Sequence, residues 1–268
     1  DPQRGVASWF AVPVLVAALV AAGCSSTPDA PTGQNAEKLY REAKDDLQSG
    51  SYERAIKGLE RVEGLGAGSL LAQQAQLDLA YAYWRINERA QALTTIERFI
   101  KLNPSSPALD YAMYLRGIVN FNDDLGLLGS LFGQDLSERD QRAARDSFAA
   151  FKLLVDQFPD SKYTPDAQAR MRYIVDALAS YEVHVARYYF RRGAYVAAAN
   201  RTQQAVTEFQ QSPAAEEALA IMVRSYDRLQ LAQLRDDAER VLRASYPSSR
   251  YLAGADIGAI NRPWWKLW

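Results

Sequence analysis

Apolar residues recur at three- and four-residue spacing along most of the chain beyond residue 35. Leu77, Ala80, Tyr81 and Trp84 form one such stripe, and Ile96, Phe99 and Ile100 form another. That spacing lines one face of an α-helix. Alternation of Val, Ile and Thr at period two is scarce, so the fold class is all-α. Stops recur at Leu102-Asn103-Pro104, Gln157-Phe158-Pro159 and Tyr246-Pro247. Starts recur at Ser106-Pro107, Thr164-Pro165 and Ser212-Pro213. Each start is expected to place a hydroxyl N-cap before a proline at the first helical position, where a missing N–H costs nothing.

The repeating unit is a pair of helices, and its pattern resembles the tetratricopeptide repeat. The first copy reads Gly50-Ser51-Tyr52-Glu53-Arg54-Ala55, with a turn glycine, an aromatic two residues on and a small alanine where two helices touch. In the second, Ala80 and Tyr83 precede a turn at Asn87, followed by Ala92, Phe99 and Pro104. A later copy reads Ala186, Tyr189, Gly193, Tyr195, Ala198 and Ala205, and two more, at 114–159 and 217–247, are degenerate. The expectation is a solenoid of about five helix pairs over residues 36–250, enough to bury a continuous core by stacking neighbours. An insertion at 121–141 mixes Gly126, Gly129 and Gly133 with Leu127, Leu128, Leu131 and Phe132. It is either tucked onto the scaffold or offered to a partner. Ser137-Glu138-Arg139-Asp140 then reads as a capping box restarting the helix.

Residues 1–23 read as an address. Arg4 precedes a nearly all-apolar run at 6–20, and Ala21-Ala22-Gly23 leads into Cys24. The run is short for a bilayer span, which takes ~20 apolar residues, and suits a secretory signal. Its ending resembles a bacterial lipobox, with Ala21 where leucine is usual. The resemblance implies S-diacylglycerol and N-acyl groups on Cys24, and Ser25 after it points to the outer membrane. An ordinary secretory signal with a spare thiol is the alternative. Residues 24–35, polar with two prolines after Cys24, read as a flexible tether.

Charge and composition remove several classes of function. The 268 residues carry a net charge of −1, with one cysteine and one histidine. Nothing global points to nucleic acid. A disulfide within the chain is impossible, and a structural zinc site lacks ligands. No metal or cofactor is implied. Any nucleophilic catalysis would run through His184 alone, with no positioned nucleophile or acid in view, so the chain reads as no enzyme. The glycines at 64, 66 and 68 lack the lysine and hydroxyl of a phosphate loop and read as a helix-pair linker.

Four stretches stand out beside the repeat skeleton: IERFIKLNPSSPALDYAMYLRG from Ile96, the run from Phe132 to Phe151, QFPDSKYTPD from Gln157 and YEVHVARYYFRRGAYVAAANR from Tyr181, the first and last being the more specific. They resemble the BamD family, lipoproteins of the machine that inserts β-barrels into the outer membrane. The resemblance covers the chain from Cys24 to about Tyr251. It implies a scaffold on the periplasmic leaflet whose C-terminal repeats dock on a POTRA domain of the BamA-like insertase. Its N-terminal repeats would meet unfolded outer-membrane proteins, with smaller lipoproteins packing alongside.

On that resemblance Arg201 matches an arginine that pairs with an acid on the insertase. Arg192 and Tyr195 share its motif, and Arg98 lies in the stretch that meets clients. Tyr83, Tyr111 and Tyr114 are core residues or line a client groove. Arg191, Arg192 and Arg201 are a solvated face or a docking patch. Trp264 and Trp265, with Trp268, either pack on the last repeat, enter a partner or touch lipid headgroups. The loop at 64–69 departs from the family's Tyr-Pro turn, which puts an aromatic pocket between the first two repeats in doubt. A cell-envelope organiser that tethers peptidoglycan or division proteins is the alternative function.

Overall fold

The computed structural model describes residues 32–66, 68–121 and 138–257. The signal, Cys24, Trp264, Trp265, Ser137 and most of the insertion lie outside the described residues. Among the described residues there are ten α-helices and no strand. In chain order they are α1 (Thr32–Gln48), α2 (Tyr52–Leu65), α3 (Leu70–Arg85), α4 (Arg89–Leu102) and α5 (Leu109–Asn120). Then follow α6 (Glu138–Gln157), α7 (Thr164–Arg191), α8 (Tyr195–Glu208), α9 (Ala214–Arg228) and α10 (Ala232–Ser245). They form five consecutive helix pairs, so the tetratricopeptide reading holds. Helix α1 starts four residues before the expected start of the repeats at 36. No proline follows residue 31 to stop the first turn from extending back. No described helix is long and apolar enough to cross a membrane.

Four pairs turn in the same way. Gly50, Asn87, Gly193 and Gln230 each stand two residues before the second helix and adopt φ of 77°, 66°, 78° and 59°. The next residue's N–H reaches back to close the first helix: Ser51 to the Asp46 carbonyl at 2.8 Å, Glu88 to Tyr83 at 2.8 Å, Ala194 to Tyr189 at 3.0 Å and Leu231 to Tyr226 at 2.9 Å. The left-handed residue bonds one position later, as in a Schellman motif. Three residues into the second helix comes a fully buried alanine, Ala55, Ala92 or Ala198, which lets the paired helices approach. The last pair has Arg235 there, tied to Asp227 and Asp236.

The joins between pairs are equally regular, and they correct the expected caps. Ser106, Ser161, Ser212 and Ser249 each donate their N–H to the carbonyl three residues back, at 3.0–3.1 Å. Each hydroxyl oxygen accepts the N–H two residues on, at 3.2–3.4 Å. Ser106 and Ser212 thus make a turn before the helix, and the N-cap positions fall to Ala108 and Pro213, with no side-chain cap bond. Thr164 is the first helical residue of α7, and its hydroxyl donates to the Phe158 carbonyl at 2.7 Å. In the departing loop Ser69 does similar work, its oxygen accepting the Ala72 N–H at 3.1 Å.

Two compact units divide within α3, one up to Ala75 and one from Gln76. In the first, α1 and α2 close on Ala43, Leu47, Ala55, Leu59 and Val62. Gly58 permits this, since a Cβ there would stand 2.9 Å from the Ala43 methyl. In the second, Leu77, Ala80, Ile96, Phe99 and Leu115 join α3, α4 and α5, while Phe151, Leu154, Ile174 and Leu178 join α6 and α7. Val183, Ala186, Ala198, Ala205 and Ile221 join α7, α8 and α9. Past α10 the chain folds back: Tyr251 and Leu252 pack on Leu219 and Leu242, and Ile257 is buried beside Val183 and Ala186. The first part of the expected C-terminal tail is therefore packed on the last repeats.

Candidate functional site

Two aromatic surfaces stand out in the second unit. The first is a shelf built from α5, α6, α7 and the residues adjoining them. Tyr114 stacks on Tyr163 with ring centres 4.7 Å apart, and Tyr111 meets Tyr163 at 5.5 Å. The row extends through Tyr114 to Phe151 at 6.0 Å, and Phe121 meets Phe151 at 6.3 Å and Tyr173 at 5.6 Å. Phe151 can sit under the shelf because Gly117 has no side chain where the ring passes. Offset and tilted ring pairs of this kind add to area burial.

The carboxylates beside the shelf are bonded within the fold. Tyr114 donates its O–H to Asp166 Oδ2 at 2.7 Å, and Arg170 Nε donates to the same oxygen at 2.7 Å. Ser161 donates to Asp110 Oδ2 at 2.7 Å. Burial, then the Asp78 carboxylate and neighbouring tyrosines, push the Tyr111 phenol above its ordinary value. Burial would raise the Asp166 carboxyl, but the bonds from Arg170 and Tyr114 outweigh it and hold it below its ordinary value. Cations lie over ring faces: Arg170 over Phe121 at 4.6 Å, Lys162 over Tyr163 at 5.0 Å and Arg85 over Tyr81 at 5.6 Å.

The second surface is an edge where α7 and α9 end and α8 begins. Tyr188 is 46% exposed and Val196 59% exposed. Arg192 lies over the Tyr188 ring at 5.3 Å and Arg228 over Tyr195 at 6.0 Å. Tyr188 meets Tyr189 edge-on, as Phe190 meets Tyr195. Each arginine thus has a tyrosine ring within cation–π reach.

The expected site residues divide between these places. Tyr111 and Tyr114 come together on the shelf, with Tyr163, Asp166 and Arg170 as members that sequence reasoning passed over. Tyr83 packs half-buried against the core of α3 to α5, and Arg98 is exposed on α4 beside buried Phe99. Arg192 and Tyr195 meet the edge expected for docking, joined by Tyr188 and Arg228. Arg201 has a partner inside the chain: its Nη1 donates to Glu182 Oε2 at 3.2 Å. The Glu182 side chain is 3% exposed and that of Arg201 41%. His184 is exposed on α7.

The fold defines an all-helical tetratricopeptide-repeat protein. Residues 32–242 match the family model described as YfiO, outer membrane lipoprotein. The chain belongs to this outer-membrane lipoprotein family, which includes BamD. It is 48% identical to the outer membrane protein assembly factor BamD of Neisseria meningitidis serogroup A, covering 87% of this chain and 86% of that one. It is 36% identical to the assembly factor of the same name from Vibrio cholerae, covering 85% and 95%. Among solved structures, the MamA protein aligns at a TM-score of 0.37 and 13% identity, covering 85% of this chain and 99% of that one.

Proposed function

We propose that this chain is an assembly factor for outer-membrane β-barrel proteins and acts as a non-catalytic scaffold. Lipid on Cys24 holds it at the periplasmic leaflet of the outer membrane. The tyrosine shelf receives extended segments of unfolded barrel precursors, whose side chains stack on the ring faces. The edge at Tyr188, Arg192 and Tyr195 docks on a POTRA domain of the insertase, and smaller lipoproteins of the machine pack alongside.

One observation carries this reading: a single helix supports both surfaces. Asp166, Arg170 and Tyr173 of α7 belong to the shelf, while Tyr188 and Arg191 close its far end. Twenty-eight residues of helix span about 42 Å at 1.5 Å per residue. A continuous helix with Ile174, Leu178, Val183 and Ala186 packed along it transmits no slack. A client on the shelf is therefore presented at a set distance from whatever holds the edge. Depletion of the protein in its host tests the role. Outer-membrane barrels are expected to fall and their unfolded precursors to collect in the periplasm. Normal barrel levels after depletion would refute the proposal.

A further inference from the structure

The first helix pair ends in an uncharged, apolar loop. From Gly64 to Leu77 the sequence carries no charged residue, and Leu65, Leu70 and Leu71 stand among Gly64, Gly66 and Gly68. Leu65 closes α2 and Leu70 opens α3, and they are 40% and 74% exposed. Leu70 is the most exposed large hydrophobic residue among the described residues. A single exposed leucine is ordinary. Two that flank a short turn with no charge in it make an apolar tip. Much of the turn's backbone is bonded within itself. The Gly66 N–H donates to the Val62 carbonyl at 3.1 Å and the Ser69 N–H to the Gly66 carbonyl at 2.8 Å, while Ser69 Oγ accepts the Ala72 N–H at 3.1 Å. Polar groups satisfied in this way lower the cost of leaving water.

The register of the first pair shows which end the tip occupies. Helices α1 and α2 run antiparallel through the turn at Gly50, and Gly58 of α2 lies against Ala43 of α1. That register puts Leu65 level with Ala36, so the tip shares its end with Thr32, where α1 begins. Residues 25–31 join Thr32 to Cys24, and even fully extended a chain of that length spans only about 30 Å. The Gly50 turn stands at the other end of α1, about 25 Å away for a helix of 17 residues. That end is polar: Asp45, Glu53 and Arg54 are exposed around it, and Arg54 pairs with Asp46 at 3.0 Å. The charged residues nearest the tip, Glu37, Lys38, Arg61 and Glu63, are balanced in sign, so they neither drive nor oppose approach to an anionic leaflet.

We propose that the tip formed by Leu65 and Leu70 is a second membrane contact, which enters the headgroup region of the leaflet that holds the lipid on Cys24. The leucines supply apolar area, and the uncharged turn between them carries no ion to desolvate. A lipid on a polar tether fixes distance but leaves the first helix pair free to rotate. A second contact at the same end of the pair fixes its orientation on the leaflet. This rests on the lipid-anchor reading above and adds a surface to it.

The test uses the full chain, lipidated on Cys24, on vesicles of phosphatidylethanolamine and phosphatidylglycerol. Lipid occupies the thiol of the chain's one cysteine, so a cysteine introduced as Leu70→Cys or Ser49→Cys is the only one to take an environment-sensitive fluorophore. Ser49, exposed beside the Gly50 turn, is the reference position. The label at 70 is expected to be quenched several-fold more by nitroxide lipids in the bilayer than the label at 49, with its emission shifted to the blue. Leu65→Asp added to the Leu70→Cys chain puts a charge in the tip and should return quenching to the level at 49. Leu65 is partly exposed, so the helix pair should stay folded, as circular dichroism would show. Equal quenching at 70 and 49 overturns the proposal and leaves the tip to a protein partner. Quenching at 70 that survives Leu65→Asp also overturns it, since the fluorophore alone would then be entering the bilayer. A parent chain that fails to float with the vesicles, or whose Cys24 takes the label, overturns the anchor reading instead.

Discussion

The shelf and the edge are both rows of tyrosines beside arginines, yet they present opposite things to a visitor. On the shelf the charges are consumed: Asp166 takes bonds from both Tyr114 and Arg170, and Asp110 takes one from Ser161. The shelf's rings are half-buried and stack on one another, with Lys162 and Arg170 over two of their faces. At the edge Arg192 and Arg228 are exposed, each with a tyrosine ring within cation–π reach. A surface of ring faces tolerates many sequences, whereas planar forks at set positions select one geometry. Under the proposed function, the shelf is the surface for many clients and the edge the surface for one fixed partner.

The strongest way to break the contrast is to remove the floor of the shelf. Phe151→Ala deletes a fully buried ring under Tyr114 and Phe121 and is expected to cost about 3–5 kcal/mol. Chemical denaturation reads that loss. Client binding should weaken, while affinity for the insertase at concentrations of folded chain should hold.

Next in size is Arg201→Glu, which sets a second carboxylate against buried Glu182. The expected cost is about 2–4 kcal/mol, below a fully buried pair because Arg201 is partly open to solvent. Adding Glu182→Gln should recover much of it. A melting temperature equal to that of the parent in Arg201→Glu would show that the pair does not hold α8 to α7.

The smallest effect sharpens the shelf. Tyr114→Phe loses one bond to Asp166 and should cost about 0.5–1.5 kcal/mol near neutral pH. Asp166 is held below its ordinary value of 3.8, so its contribution is complete above that value and is lost as pH falls through the lower folded value. The difference between the parent and Tyr114→Phe should therefore shrink in acid. Tyr111 acts at the other end of the scale. Its phenol ionises in the unfolded chain near 10 but resists ionisation in the fold, so stability should decline as pH rises above 10.

Much of the repeat skeleton was legible in the sequence because it is local. The turn residues Gly50, Asn87 and Gly193 and the contact alanines Ala55, Ala92 and Ala198 sit within a few positions of one another. Each answers a backbone demand that one residue type meets best. The expected caps failed for a related reason. A serine before a proline suits a helix N-cap and equally a turn two residues earlier, and only the hydrogen bonds separate the two.

The site was less legible. Tyr114 and Asp166 are 52 residues apart, and no local pattern predicts their bond. Tyr163 lies in the quoted run QFPDSKYTPD, but its stacking on Tyr114 depends on how α5 and α7 pack. The resemblance marked Arg201 for a partner outside the chain, and no local pattern announces its bond inside it. Its partner Glu182 sits 19 residues back on another helix, at a buried position that charge patterning does not expose.

The central claim is that α7 lets one molecule hold a client and the insertase together. The direct measurement is whether the full chain, bound to the insertase in detergent, also captures an unfolded barrel precursor. The account predicts a complex of all three, in which precursor binding leaves the affinity for the insertase unchanged. Displacement of either partner by the other would contradict it.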